Sequence, residues 1–189
     1  MKNKWIYFFL ISAIVIFGFA ARLIPHFPNF APMGAIALFA GAFYKRKYLA
    51  LAIPLLAWWL SDLYLNNFVY EFYDKFTWFT WDQLASAISL FIIVLLSANL
   101  LKKQSASRVL LGSVSASLIF FVISNFGVWA QGILYPMNLS GLLSSYLMAI
   151  PFYKASFLSD MIFSTLFFGS MYLINKTATA NSLEESLAK

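Results

Sequence analysis

The sequence of 189 residues contains no cysteine and a single histidine, His26. Without cysteine there is no disulfide, no thiolate nucleophile and no cysteine-bound metal. A lone histidine leaves no spare base for a Ser/His/Asp relay. The phosphate-binding loop, the dinucleotide fingerprint, the zinc-peptidase motif and the serine nucleophile elbow are all missing from the sequence. We therefore expect no enzyme activity, no cofactor, no metal site and no ATPase within this chain.

Charged residues are also scarce. They make up 11% of the chain against 62% hydrophobic residues, and the mean hydropathy is +0.79, whereas a soluble domain has about 25% charged and 45–50% apolar residues. The 21 Phe, 10 Tyr and 6 Trp suit helices that face lipid and carry aromatic belts. The composition predicts an all-α, polytopic membrane protein with lipid as a partner. The net charge of +6 comes from short basic clusters between apolar runs, so we expect no nucleic-acid partner.

Six apolar runs, each closed by charge, proline or polar residues, predict six transmembrane helices. The run at 33–44 is shorter than the roughly 20 residues that a bilayer requires, so we expect it to borrow residues 29–32 or to be shielded by protein. The segment Leu139–Ile150 is bracketed by prolines and is predicted to form a separate interfacial or re-entrant helix. The first run also fits a signal peptide, but its length favours an uncleaved helix. The six predicted spans are Trp5–Ala21, Met33–Tyr44, Tyr48–Leu65, Leu84–Leu101, Val109–Ala130 and Ala155–Asn175.

The basic residues predict the orientation. If the N-terminus is cytoplasmic, Arg22, Lys75 and Lys154 lie outside and the other ten lie inside, which is a clear positive-inside bias. Both termini are therefore predicted to be cytoplasmic. Residues 1–176 are predicted to form one membrane domain and residues 177–189 a polar C-terminal tail. The aromatic loop Asn66–Gln83 would then lie over the outer face, where it is a candidate gate.

Two aspartates within the apolar runs indicate where a site lies, because a charge inside a span costs about 2.5–3.5 kcal/mol on insertion scales. Asp62 and Asp160 both fall in the outer part of the predicted bundle, about 5–8 Å below its rim. Helical spacing places further polar and aromatic groups beside them, and the proline-rich first outer turn adds three more. The predicted substrate-binding residues are Arg22, His26, Asn29, Asp62, Asn66, Asn125, Trp129 and Asp160.

Three functions fit this polar cluster. An outward cavity with convergent polar groups and aromatic walls is typical of a small-molecule site. Alternatively, Asp62 and Asp160 act as acid and base in a membrane enzyme. In the third reading the protein is a structural subunit of a larger complex, and Arg22 forms a buried ion pair with one aspartate. A cavity with both aspartates on its wall favours the first two readings, and an ion pair without a void favours the third.

Several segments resemble a known group of proteins. Arg22 to Gly41 (RLIPHFPNFAPMGAIALFAG), Leu60-Ser61-Asp62, Ser124 to Trp129 (SNFGVW) with Tyr135-Pro136, and Ala149 to Phe152 (AIPF) resemble a bacterial family of small six-span membrane proteins of unknown function. That family is similar to the substrate-binding S-components of energy-coupling factor (ECF) transporters, including the solitary type linked to vitamin B12.

This resemblance implies a six-helix S-component fold in the bacterial inner membrane. It also implies that a water-soluble vitamin binds near the outer face, and that an ATPase and transmembrane module energises uptake. The solitary B12-type proteins use a cysteine as a cobalt ligand, so in this chain a cobalt contact would come from His26 or from no protein atom. The expected function is that of a membrane transport subunit for a small micronutrient, with a corrinoid among the candidate ligands.

Overall fold

A computed structural model describes residues 4–23, 30–69 and 75–187, and all regular structure in these residues is helical. A π-helical turn, Leu65–Val69, extends α3 by five residues. The helices are α1 (Lys4–Leu23), α2 (Met33–Phe43), α3 (Lys47–Tyr64), α4 (Trp81–Leu100), α5 (Ala106–Ala130) and α6 (Leu139–Leu187).

The helices agree with the sequence prediction of a membrane protein. Four helical segments in the described part of the chain are long and apolar enough to cross a membrane: Lys47–Val69, Gln83–Leu100, Ala106–Ala130 and Leu139–Thr177. α1 also forms where the first span was predicted. Large exposed side chains such as Phe91, Leu110 and Leu118 cover the outer surfaces of these helices, as expected of surfaces in contact with lipid.

α2 is shorter than the helix that a bilayer normally requires, and it lies at the centre of the bundle. Its 11 residues span about 16 Å at 1.5 Å per residue, against a hydrocarbon core of about 30 Å. Every residue from Met33 to Gly41 is buried, and α2 packs against all five other helices. The expectation that protein shields this segment is confirmed.

α6 corrects the predicted interfacial helix. Leu139–Ile150 is helical, but it is the first part of one 49-residue helix that continues through Pro151. Proline within a membrane helix is tolerated where neighbouring groups replace the lost backbone bond, and Pro54 lies inside α3 in the same way. Because α6 begins at Leu139, Asp160 lies about 32 Å along the helix axis from its start.

Candidate functional site

A cavity of about 310 Å³ lies beyond the N-terminal end of α2, within the bundle. All six helices contribute to its wall, and the short α2 accounts for its position because the other helices continue past the point where α2 begins. The lining residues are Arg22, Ala31, Met33, Gly34, Trp58, Asp62, Ser86, Ser117, Phe120, Phe121, Ser124, Asn125, Val128, Ala149, Phe152, Tyr153, Ser156 and Asp160. The wall therefore combines three charged groups, several hydroxyl groups and five aromatic rings.

Arg22, near the C-terminus of α1, lies on one side of this cavity, where a carboxylate balances its positive charge. Its guanidinium forms an ion pair with Asp62 Oδ1, donates to Ser61 Oγ and donates to the carbonyl oxygen of Trp58 at 3.2 Å. The two ionic side chains are only 15% and 14% exposed. This is the only ion pair within the described residues, and it joins α1 to α3.

Gln83 completes the surroundings of Asp62. Its Nε2 donates to Asp62 Oδ2 at 3.1 Å, and its Oε1 accepts from the backbone N–H of Thr80 at 2.9 Å. These two bonds fix the orientation of the amide and link α4 to α3. Sequence reasoning missed Gln83, although Thr followed three residues later by Gln at the start of an apolar run is a recognisable capping signal.

Asp160 supplies an N-terminal cap to α2 from another helix. Its Oδ1 accepts from the backbone N–H of Ala35 at 2.8 Å, and the side chain is almost fully buried. Pro32, at the N-cap position, provides no side-chain cap of its own. The first turn of a helix has unsatisfied N–H groups and a positive dipole end, so a carboxylate is well placed there. No lysine, arginine or histidine within the described residues forms an ion pair with Asp160.

Gly34 allows this approach. A Cβ atom at position 34 would lie 2.7 Å from Asp160 Cγ and 2.8 Å from Oδ1, closer than van der Waals contact permits. A glycine is therefore required for the carboxylate to reach the end of α2.

α5 and α6 form the opposite wall. Asn125 Nδ2 donates to the Phe121 carbonyl at 2.8 Å, and Ser124 Oγ donates to the Phe120 carbonyl at 2.6 Å. These bonds use donor atoms and leave the amide and hydroxyl oxygens as acceptors. Phe121 and Tyr153 pack with their ring centroids 4.8 Å apart. Apart from Asp160 on α6, this wall offers hydrogen-bond acceptors and aromatic surface without a charge.

The structure brings four of the predicted site residues together. Arg22, Asp62, Asn125 and Asp160 line the cavity. His26 and Asn29 lie outside the described residues.

Asn66 and Trp129 are not among the described lining residues. A π-helical turn begins at Leu65, so the regular spacing that aligned Asn66 with Asp62 does not extend across it. Trp129 Nε1 donates to the Pro136 carbonyl at 3.1 Å, which places its indole in the connection between α5 and α6.

The aromatic loop after α3 is held to the end of that helix. Asn67 donates to the carbonyls of Leu63 and Thr77 and accepts from the Thr77 N–H at 2.7 Å. Trp59 Nε1 donates to the Trp78 carbonyl at 3.1 Å. None of the described residues of this loop lines the cavity, so the predicted gate stays a prediction.

The fold and the cavity together define a helical membrane protein with a mixed polar and aromatic internal site. The chain belongs to a family of unknown function, DUF6580, whose model matches residues 2–183. No curated protein and no solved structure matches the chain.

Proposed function

We propose that this protein is a membrane substrate-binding subunit for the uptake of a small, water-soluble micronutrient. The observation that supports the proposal best is the 310 Å³ cavity, which has Arg22, Asp62 and Asp160 on its wall together with Asn125. Polar side chains inside a membrane bundle are costly to place there, and they commonly mark a substrate path. Buried charges around a void fit ligand binding better than a purely structural role.

The volume favours a small ligand. Ligand pockets usually measure about 300–1,000 Å³, and this cavity lies at the lower end of that range. A corrinoid is several times larger than a drug-sized molecule, so the proposal concerns small vitamins and related nutrients. The proposal includes a likeness to ECF S-components and a partnership with an energising ATPase and transmembrane module.

The proposed topology has six spans, both termini in the cytoplasm and the cavity toward the outer face of the bacterial inner membrane. Its support is the distribution of basic residues, because Lys45, Arg46, Lys102, Lys103 and Arg108 all lie in the short connections or helix starts at the opposite end from the cavity. Basic residues concentrate on the cytoplasmic side of membrane proteins.

A binding screen tests the proposal. Detergent-purified protein is incubated with a panel of water-soluble vitamins, and binding is followed by melting temperature and by native mass spectrometry. A ligand that binds only the folded state raises the melting temperature, by an amount that grows with its concentration. The proposal predicts at least one such ligand.

A pair of variants locates the binding. Ser124→Phe places a ring in the cavity wall, whereas Ser170→Phe adds the same ring at an exposed position of α6 that does not line the cavity. Binding should be lost in the first variant and kept in the second. Equal binding by both variants, or no binding across the panel, would contradict the proposal.

A further inference from the structure

The charges on the cavity wall indicate which class of small molecule the proposed site takes. The described lining residues include one cationic side chain, Arg22, and two anionic ones, Asp62 and Asp160. With all three groups ionised, the described wall carries a formal charge of negative one. Inside a low-dielectric bundle an excess charge acts more strongly than it does in water.

The cationic group is already occupied. Arg22 donates to Asp62, to Ser61 and to the Trp58 carbonyl, so an anionic ligand would have to displace one of these partners. Asp62 is occupied as well, because its second oxygen accepts from Gln83. Arg22 and Asp62 therefore cancel each other's charge and leave little to attract a ligand ion of either sign.

Asp160 is placed differently. Its Oδ1 accepts from the Ala35 N–H, and its Oδ2 lies over Gly34, which also lines the cavity. The positive end of α2 balances only about half an elementary charge. Within the described residues no side-chain cation completes that balance.

The remaining wall suits a cation that carries an apolar body. Trp58, Phe120, Phe121, Phe152 and Tyr153 contribute aromatic rings, and aromatic faces attract organic cations such as quaternary ammonium groups. Ser117, Ser124 and Asn125 add hydrogen-bonding oxygens on α5. A bare inorganic cation would leave most of the 310 Å³ and the aromatic surface unused.

We infer that the cavity takes a small organic cation, a protonated amine or a quaternary ammonium, with its charge next to Asp160 and its apolar part against the aromatic wall. This inference rests on the proposed function, because it names the substrate class of the same site.

Probes matched in shape and different in charge test the inference. One set is choline, its neutral isostere dimethylbutanol and the anion dimethylbutanoate; a second is phenethylammonium, phenethyl alcohol and phenylpropanoate. Their affinities for the wild type are measured by isothermal titration calorimetry. The charge of any vitamin found in the screen is compared with the charge of the probes that bind. We expect the cation of at least one set to bind about tenfold more tightly than its isosteres.

Two variants show where the preference originates. Asp160→Asn keeps an oxygen that can accept from Ala35 and removes the charge, so it should reduce the preference for the cation to less than about threefold. Phe121→Leu removes a ring from the wall and should weaken cation binding without unfolding the protein. Phe126→Leu is the control for it, because Phe126 lies on the same helix, is half exposed and does not line the cavity.

The possible failures can be told apart. If neutral or anionic compounds bind as tightly as cations and Ser124→Phe abolishes their binding, the inference is wrong while the proposed function stands. The same holds if the vitamin screen yields a ligand that is an anion or is uncharged. If nothing from either panel binds, both fail. If a cation binds equally well to Asp160→Asn, the assignment of its charge to Asp160 is overturned.

Discussion

The two ends of the helix bundle are packed in different ways. At the end that carries the α2–α3 and α4–α5 connections, small residues allow the helices to pack in direct contact. A Cβ at Gly41 would lie 2.6 Å from the Val94 carbonyl oxygen, and Ser97 Oγ donates to the Leu38 carbonyl. At the cavity end, Arg22, Asp62 and Asp160 occupy the wall, and a void remains.

This difference follows from the length of α2. Close packing through glycine, alanine and serine is the usual means of helix association in membranes, and α2 supplies such residues along its whole length. Beyond its N-terminus nothing comparable fills the centre of the described bundle, and polar side chains link the surrounding helices by hydrogen bonds. One end is therefore held by contact and the other by hydrogen bonds around a space.

The largest effect is expected from breaking the ion pair at the cavity end. Asp62→Ala leaves Arg22 without its anionic partner, and loss of one member of a buried pair costs several kcal/mol; we expect about 3 kcal/mol. The double variant Arg22→Met/Asp62→Leu should recover a large part of that loss. The measurement is unfolding by titration with SDS in mixed micelles, with the exposed Lys154→Ala as control. If the effects of Arg22→Met and Asp62→Leu, measured singly, simply add in the double variant, the two residues do not interact.

Gly34→Ala is expected to have the next largest effect. The new Cβ displaces the Asp160 carboxylate from the end of α2, and overpacking together with a lost buried hydrogen bond costs about 2–3 kcal/mol. Gly169→Ala is the matched control, since no atom lies within 4 Å of its Cβ position and alanine favours a helix over glycine. A melting temperature for Gly34→Ala at or above that of the wild type would contradict the capping role of Asp160.

Gly41→Ala tests the end that is held by contact. Its Cβ would press on the Val94 carbonyl and on Ser97, and we expect a loss of about 1–2 kcal/mol. Ligand affinity at the cavity should stay unchanged, because Gly41 lies at the other end of α2. A change in affinity larger than the change in stability would show that the two ends are coupled.

The smallest effect is expected from Asn67→Ala. This change removes three hydrogen bonds that hold the aromatic loop to α3, and it should cost about 1 kcal/mol because the site is only partly buried. The control is Asn99→Ala, whose side chain bonds only to the Leu95 carbonyl on the surface of α4. Faster proteolysis of the loop with unchanged ligand binding is expected; weaker binding would indicate that the loop does act as a gate.

Composition and hydropathy were sufficient to predict α1 to α5 and their order. Apolar runs bounded by charge or proline located α1 to α5 well, because burial in lipid requires long apolar helices whatever their tertiary partners. The continuity of α6 was not predicted, because proline usually marks the end of a helix, whereas Pro151 lies inside one. Whether a proline ends a helix depends on neighbouring groups that can replace the lost backbone hydrogen bond, and a single sequence does not reveal those groups.

The candidate site was predictable in part. Asp62, Asp160 and Asn125 stood out because polar residues are rare within apolar runs, and each of them lines the cavity. The position of Asn66 depended on regular helical spacing, which the π-helical turn interrupts. The capping of α2 by Asp160 involves residues 125 positions apart, and helical periodicity carries no information on such a contact.

The absence of cysteine allows a direct test of the central claim, that the cavity admits small polar molecules from the outer face. A single cysteine is introduced as Ser124→Cys, and intact cells are treated with a small, membrane-impermeant methanethiosulfonate reagent. Ser170→Cys, on the exposed surface of α6, and Trp78→Cys, in the aromatic loop, serve as the unreactive and reactive references. The account predicts that Ser124→Cys is modified from outside at a rate close to that of Trp78→Cys, and that Ser170→Cys is not. Failure of Ser124→Cys to react while Trp78→Cys does would contradict an outward-opening site.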